Sequence, residues 1–353
     1  MSVVCSAYAP GPQVSVSDAH NDLLMLVTRR PPADRGRYFR TRLLPQLRAG
    51  GVSLQVLPVF VDDDFRPELA LRQLLRMTEA AHRIAEENCD AVTICATGAR
   101  IEDAQAADRI ALVLALESCA AIGEDVELLR LVRRLGVRIA SFTHMGRTAL
   151  ADGSGEDASG GRLTSLGVEA LALMEDEGIL LDVSHLSRAG VGHVLEIARR
   201  PVLATHSSAR AVMDHHRNLS DEQVRGIVGT GGIVCVNFYP DFVAAAEPTV
   251  DHLIDHVAHL VEVAGIDNVG LGPDFIHEYY AELSPAERLV MLGTESVPEM
   301  IPGLEGPSGL PMFVTALRRR GFGGDDIAKI AGTNLRRFLL AYLPADGALA
   351  DAV

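Results

Sequence analysis

Short apolar runs rich in Val, Ile and Leu recur along the chain and alternate with longer amphipathic stretches. The runs cover residues 14–18, 52–60, 111–117, 137–143, 179–184, 202–205, 232–237 and 268–272. Each is almost continuously apolar, which suits strands covered on both faces, as in a parallel sheet. Between many of them, apolar residues recur three and four apart over 68–87, 125–135, 165–177, 188–198, 220–228 and 251–264. That is the spacing of one buried helix face. Ser187 and Ser220 stand where N-caps belong, and Gln223 completes a capping box with Ser220. Gly136, Gly178 and Gly265 stand where helices end. Strand–helix alternation repeated eight times predicts an α/β fold of the (β/α)8 TIM barrel type. It predicts one domain over residues 1–353, with the barrel core at about 14–343. A doubly wound open sheet is the alternative, but no Gly-x-Gly-x-x-Gly turn or Walker loop supports it.

Two stretches break the alternation. Residues 146–162 are rich in Gly, Ser, Asp and Ala and read as a long mobile loop after the fourth strand. Residues 275–310 follow the eighth strand and read as a partly helical lid, interrupted by Pro285, Pro298, Pro302 and Pro307. The tail, 325–342, is amphipathic and is expected to close the base or side of the barrel.

Composition narrows the class. The chain has 353 residues, 48% of them hydrophobic, which is enough apolar matter for a large core. It carries 47 acidic against 32 basic residues, a net charge of −15. Such a surface repels phosphate backbones, so nucleic acid and anionic membranes are disfavoured as partners. No run approaches the roughly 18 apolar residues of a membrane span. The first residues lack a signal-peptide pattern and the last lack an anchor pattern. Five cysteines at 5, 89, 95, 119 and 235, without a Cys-x-x-Cys, suit reduced thiols and a cytoplasmic location.

In a parallel barrel the chemistry gathers at the C-terminal ends of the strands. Those ends hold His20 and Asp22, Glu117, His144, His185, His206 and Asp274. Neutral imidazoles with carboxylates are the ligand set of Zn²⁺, and less specifically of Fe or Mn. One catalytic zinc takes three protein ligands, so His20, Asp22, Glu117, His185 and His206 point to two metals with Glu117 as the shared carboxylate. A carboxylated lysine bridge is closed to this chain, because its one lysine, Lys329, lies in the tail. Taken singly, each of these histidines reads more readily as a structural group, and the joint pattern is what favours metal. His252, His256 and His259 read as a solvated helix face, His82 and His193 as helix-surface residues, Asp62, Asp63 and Asp64 as a solvated turn, and Cys119 as a small buried residue beside the site.

These residues sit in motifs that resemble the membrane dipeptidase (renal dipeptidase-like) metallopeptidases of the amidohydrolase superfamily. The motifs are DAHNDL at 18–23, LALES at 114–118, FTH at 142–144, LDVSHLS at 181–187, PVLATHSSAR at 201–210 and HHRNLSDE at 215–222, with VNFYP at 236–240 and the tail IAKIAGTNLRRF. The resemblance covers about residues 14–343. It implies a two-zinc barrel that hydrolyses dipeptides through water activated between the metals. It places His20 and Asp22 on one zinc, His185 and His206 on the other, and Glu117 between them. It makes His144 a contact to the scissile carbonyl, Arg217 the receptor of the substrate carboxylate and Asp274 the proton carrier. Tyr239 joins the substrate pocket on weaker grounds. It further implies a D-residue tolerated at the C-terminal side, and a homodimer as an available state, for which the apolar tail offers an interface.

The chain departs from the pattern at the eighth strand. The family usually reads Gly-Gly-Asp-Tyr/Phe-Asp-Gly, whereas this chain reads Gly272-Pro273-Asp274-Phe275-Ile276-His277. Lacking the signal, disulfide and anchor patterns of mammalian members, it resembles a bacterial intracellular relative. The altered motif leaves open a pathway-specific amidohydrolase that trims a dipeptide-like conjugate, such as a Cys-Gly adduct. A metal-holding protein without turnover is the reading from another class.

Overall fold

The structure, a computed structural model, describes residues 14–61 and 69–345. The acidic triplet Asp62, Asp63 and Asp64 lies outside the described residues. Among those residues are nine strands: β1 (Val16–Asp18), β2 (Val52–Phe60), β3 (Val92–Ile94), β4 (Ile110–Glu117), β5 (Val137–Ser141), β6 (Leu180–Asp182), β7 (Leu203–Ala204), β8 (Ile233–Val236) and β9 (Val269–Leu271). All pairings between them are parallel, in the order β2-β1-β9-β8-β7-β6-β5-β4-β3. The sheet closes because β2 also pairs with β4, from Leu54 opposite Ala111 to Phe60 opposite Glu117. Closure excludes the open-sheet alternative and makes the fold a (β/α)8 barrel. Each of the eight expected runs holds one barrel strand. The ninth strand, β3, pairs only with the first residues of β4. Its three residues are too few to show a period.

Strand periodicity sorts the core into two layers. Ala111, Val113 and Ala115 of β4 face inward with Leu54, Val56, Ile139, Leu180, Leu203 and Ile233. Leu112, Leu114 and Leu116 face outward, against the surrounding helices. Because both faces are covered, every residue of β4 is buried. The tail caps the inner layer from below. Leu335, Phe338, Leu339 and Leu343 belong to the same inner cluster, so the apolar residues offered as a dimer interface are already covered within the chain. Truncating one such residue, Leu339→Ala, has a typical cost of about 2–5 kcal/mol.

The expected caps form. The Ser220 hydroxyl accepts from the Gln223 backbone N–H, and the Gln223 side chain accepts from the Ser220 N–H. The helix Ser165–Glu177 ends at Gly178 in the left-handed region, φ 71°. The stretch 146–162 is not the free loop its composition suggests. The buried Asp152 carboxylate accepts from Arg147 and Ser159, and its backbone carbonyl accepts from the Ser187 N–H. Leu150 and Ala151 are buried, and the Ser154 N–H donates to the His185 carbonyl at 2.6 Å. The segment is thereby a brace behind a rim histidine. Residues 275–310 do form a partly helical excursion, with helices His277–Glu282 and Pro285–Leu292 over the rim. Among the described residues no helix is long and apolar enough to cross a membrane.

Candidate active site

Parallel closure brings all eight strand C-termini to one rim. β1 leads into His20 and Asp22, β4 ends at Glu117, and His144, His185, His206 and Asp274 follow β5, β6, β7 and β9. His20, Asp22, Glu117, His185 and His206 are all buried. Glu117 stands between the imidazoles. Its Oε2 lies 3.2 Å from His20 Nε2, and its Oε1 lies 3.0 Å from His185 Nε2 and 3.7 Å from His206 Nε2. His20 Nε2 is also 4.0 Å from Asp22 Oδ1 and 3.9 Å from Asp274 Oδ1. His185 Nε2 and His206 Nε2 face each other at 2.8 Å. Two bare lone pairs repel at that distance unless a proton or cation lies between them.

Electrostatics point the same way. Burial raises the Asp22 carboxyl well above its ordinary range, and the charges of Glu117 and Asp274 add to the rise. Burial alone would lower His20, but Glu117, Asp22 and Asp274 outweigh it and raise the imidazole to about 10. Burial drives His185 and His206 far down, helped by Arg217. Burial opposes the charged form of Glu117, yet His20 and His185 hold it well below the usual carboxylate range. Among the described residues, His20 Nε2 and Asp22 Oδ1 have no partner in hydrogen-bonding geometry. Buried, orphaned donor atoms around clustered carboxylates fit one or more divalent cations. Three overlapping sets have the spacing for it: His20, Glu117 and His206; Glu117, His144 and His185; and His20, Asp22 and Asp274.

The backbone is strained at the same place. His185 (φ 72°), Asp274 (φ 64°) and Ser118 (φ 72°), the residue after Glu117, lie in the left-handed region although none is glycine. Such conformations cost about 1–3 kcal/mol each and persist where surrounding bonds over-determine them. Here the His185 carbonyl accepts from Ser154 and Thr143, Ser118 N–H donates to Ser141 Oγ, and Asp274 N–H donates to the His20 carbonyl. Gly272 leads into this turn. A Cβ there would lie 1.8 Å from the Thr205 carbonyl oxygen, so only glycine fits.

Beside the ligand cluster is a cavity of about 340 Å³. Glu117, His144, His185, Asp274 and Tyr239 line it. The His144 ring stands 4.4 Å from that of His185 and 4.9 Å from that of Phe60. Asp274 Oδ2 accepts from Asn237 Nδ2 at 3.0 Å. Tyr239 interacts with Tyr280 through their side chains, and burial pushes its phenol up to about 12. Arg217 is buried; one Nη donates to the His206 carbonyl at 3.2 Å and its Nε has no hydrogen-bond partner among the described residues.

The sequence profile of the family described as membrane dipeptidase (peptidase family M19) matches residues 12–342. The chain belongs to the membrane dipeptidase family. It is 28% identical over 273 residues to dipeptidase verJ of Clonostachys rogersoniana, covering 76% of this chain and 65% of that relative's length. Among solved structures, a dipeptidase AC of family M19 superposes with a TM-score of 0.83 at 26% identity, covering 95% of this chain and all of the other. A metallopeptidase from Rhodobacter sphaeroides, liganded with a phosphinate mimic of L-Ala-D-Ala, shares the fold with a TM-score of 0.82 at 24% identity, covering 94% of this chain and all of the other.

Within this family frame, several neighbours of the rim escape sequence reading. Asn237 is a polar residue at the end of a barrel strand, a position that could have marked it. Thr205 and Asp182 lie inside the quoted motifs without an assigned part. His256 does not join the solvated face expected for it: it is fully buried, accepts from the Ala209 N–H at Nδ1 and bonds the Val243 carbonyl through Nε2. His82 also reaches inward, to the Leu135 carbonyl. Cys119 is buried as expected, and burial pushes its thiol up to about 12, which disfavours a thiolate ligand.

Proposed function

We propose that this chain is a zinc-dependent dipeptidase. The observation behind the reading is Glu117, whose two oxygens face different imidazoles across a buried cluster. In this reading His20 and Asp22 hold one zinc ion, His185 and His206 hold a second, and Glu117 is shared. When bound, such ions polarise the scissile carbonyl and bring a water's pKa toward about 7.

The chain's own residues do the rest. Arg217, buried without a carboxylate partner among the described residues, takes the free carboxylate of the dipeptide. A guanidinium offers that group two parallel donors, which a lysine does not. Binding at that depth leaves no room for a longer C-terminal extension, so dipeptides are selected. His144 donates to the carbonyl oxygen as negative charge develops there, a contribution of about 3–4 kcal/mol for one such donor. Asp274, oriented by Asn237, receives a proton from the attacking water and delivers it to the leaving amine. A D-residue at the C-terminal side is accepted in the same clamp.

Metal-stripped protein should hydrolyse no dipeptide, and zinc addition should restore turnover. Full turnover after verified metal removal sinks the reading.

A further inference from the structure

The cavity has a direction and an apolar end. Counting round the closed sheet, β7 and β2 are four strands apart by either path. The chain after β7 supplies Arg217, and the C-terminal end of β2 supplies Phe60. The carboxylate clamp and Phe60 therefore come from opposite sides of the mouth, with Glu117, His144 and His185 bordering the cavity between them. A dipeptide held by its carboxylate at Arg217, with its scissile carbonyl at the ligand cluster, must project its amino-terminal residue toward Phe60.

The apolar wall of the cavity is made by Met25, Phe60, Met145, Phe242, Ile276, Met291 and Leu292, with Phe60 at the end of β2 and Met25 on the helix after the neighbouring β1. None of these carries a charge, and no Lys or Arg is among the described residues that line the cavity; Arg217 is not itself a lining residue but stands 5.4 Å from the ring of Phe242, which is. The carboxylates that do line it, Asp22, Glu117 and Asp274, are assigned to metal and proton by the proposed function. The helix Pro285–Leu292 has no buried residue and leaves Val290 78% exposed, yet it puts Met291 and Leu292 at this wall. Three methionines make the surface adaptable in shape while keeping it apolar.

We propose that the enzyme selects dipeptides whose amino-terminal residue bears a bulky, uncharged, apolar side chain, seated against this wall. The inference rests on the dipeptidase reading and on Arg217 as the carboxylate clamp. Burial of a Leu- or Phe-sized side chain should raise kcat/KM by about tenfold or more over glycine. An acidic side chain would lose its hydration against this apolar wall and finds no Lys or Arg among the described residues there to pair with, so it should rank below glycine.

The test is kcat/KM for the zinc-loaded full chain on X-Ala dipeptides, with X as Gly, Leu, Met, Phe, Asp or Lys and with Ala in both L and D forms. The expected order is Leu, Met and Phe above Gly, with Asp lowest. A flat series, or one led by Gly, Asp or Lys, overturns the apolar subsite while leaving the dipeptidase reading intact. Absence of turnover on every member defeats the dipeptidase reading itself. As a second measurement, Ile276→Thr keeps the β-branch and places a hydroxyl in the wall. The ratio of kcat/KM for Leu-Ala to that for Gly-Ala should fall severalfold in this variant. An unchanged ratio in a variant with wild-type circular dichroism removes Ile276 from the subsite.

Discussion

Thr205 Oγ lies 2.7 Å from His206 Nδ1 and also donates to the Asp182 carboxylate. The direction of that chain is fixed by chemistry. For His206 Nε2 to present a bare lone pair toward Glu117, its proton must sit on Nδ1 and be donated to the threonine oxygen. Thr205 in turn donates its hydroxyl hydrogen bond to Asp182, whose other oxygen accepts from the Ser184 and Thr205 backbone N–H groups. Thr205→Val keeps the shape and deletes the acceptor. It should weaken zinc binding by roughly 10–100-fold, read by competition with a chromophoric chelator. Thr205→Ser should stay near the wild-type affinity. Equal affinities for the valine and serine variants would detach this chain from the metal site.

Arg217 invites a substrate test. Burial pushes its guanidinium pKa down, while Asp274, Glu117 and Asp182 pull it up from a distance. A buried cation whose Nε has no hydrogen-bond partner among the described residues is a poor resting arrangement and a good receptor for an arriving carboxylate. Arg217→Ala should raise KM for dipeptides by roughly 100-fold and alter kcat much less. Wild-type enzyme should discriminate sharply between a dipeptide and its C-terminal amide, and the variant should not. A variant that still discriminates as strongly refutes the clamp.

Much of this architecture is written in local patterns. The eight barrel strands are buried on both faces, so they appear as apolar runs without needing tertiary knowledge. The rim ligands are legible because a parallel barrel sends every strand end to one side, turning positions as distant as His20 and His206 into neighbours. What stays hidden depends on packing between distant segments. Asp152 turns a Gly- and Ser-rich stretch into a fixed brace only because Arg147, Ser159 and Ser187 meet around it. His256 shows helical spacing with His252 and His259, yet the chain after β7 and the Val243 carbonyl close over it. The apolar tail reads as surface available to a partner until the open barrel base is seen to need it.

Asp274 separates proton transfer from metal binding. It is held by Asn237 Nδ2 and by its own N–H to the His20 carbonyl. An amide at this position can still accept from Asn237, so Asp274→Asn should fold normally and retain its metal. Without a carboxylate to carry the proton, kcat should fall by about 100- to 10,000-fold. Metal content by atomic absorption and turnover on one dipeptide check both halves. Wild-type turnover in the zinc-loaded variant would remove the proton-carrying role.

His256 predicts a pH dependence of stability away from the metal cluster. Burial lowers its pKa below the ordinary 6.5; its bond to the Val243 carbonyl opposes this, and His259 and His252 push it further down. Its Nδ1 accepts from Ala209 N–H at 3.0 Å, which requires the neutral ring. The unfolded chain, with a pKa near 6.5, takes up a proton that the folded chain resists. Stability from this group is therefore complete above about pH 7 and declines as the pH falls through 6.5 toward the lower folded value. His256→Leu leaves the Ala209 N–H and the Val243 carbonyl unpaired, and should cost about 1–3 kcal/mol per group at pH 8. The stability gap between wild type and variant should narrow at pH 5.5, because only the wild type loses its histidine contribution. Comparing the two proteins at each pH cancels the response of the shared metal site. Urea unfolding at both pH values measures the gap, and a gap independent of pH would show that His256 does not titrate as its burial demands.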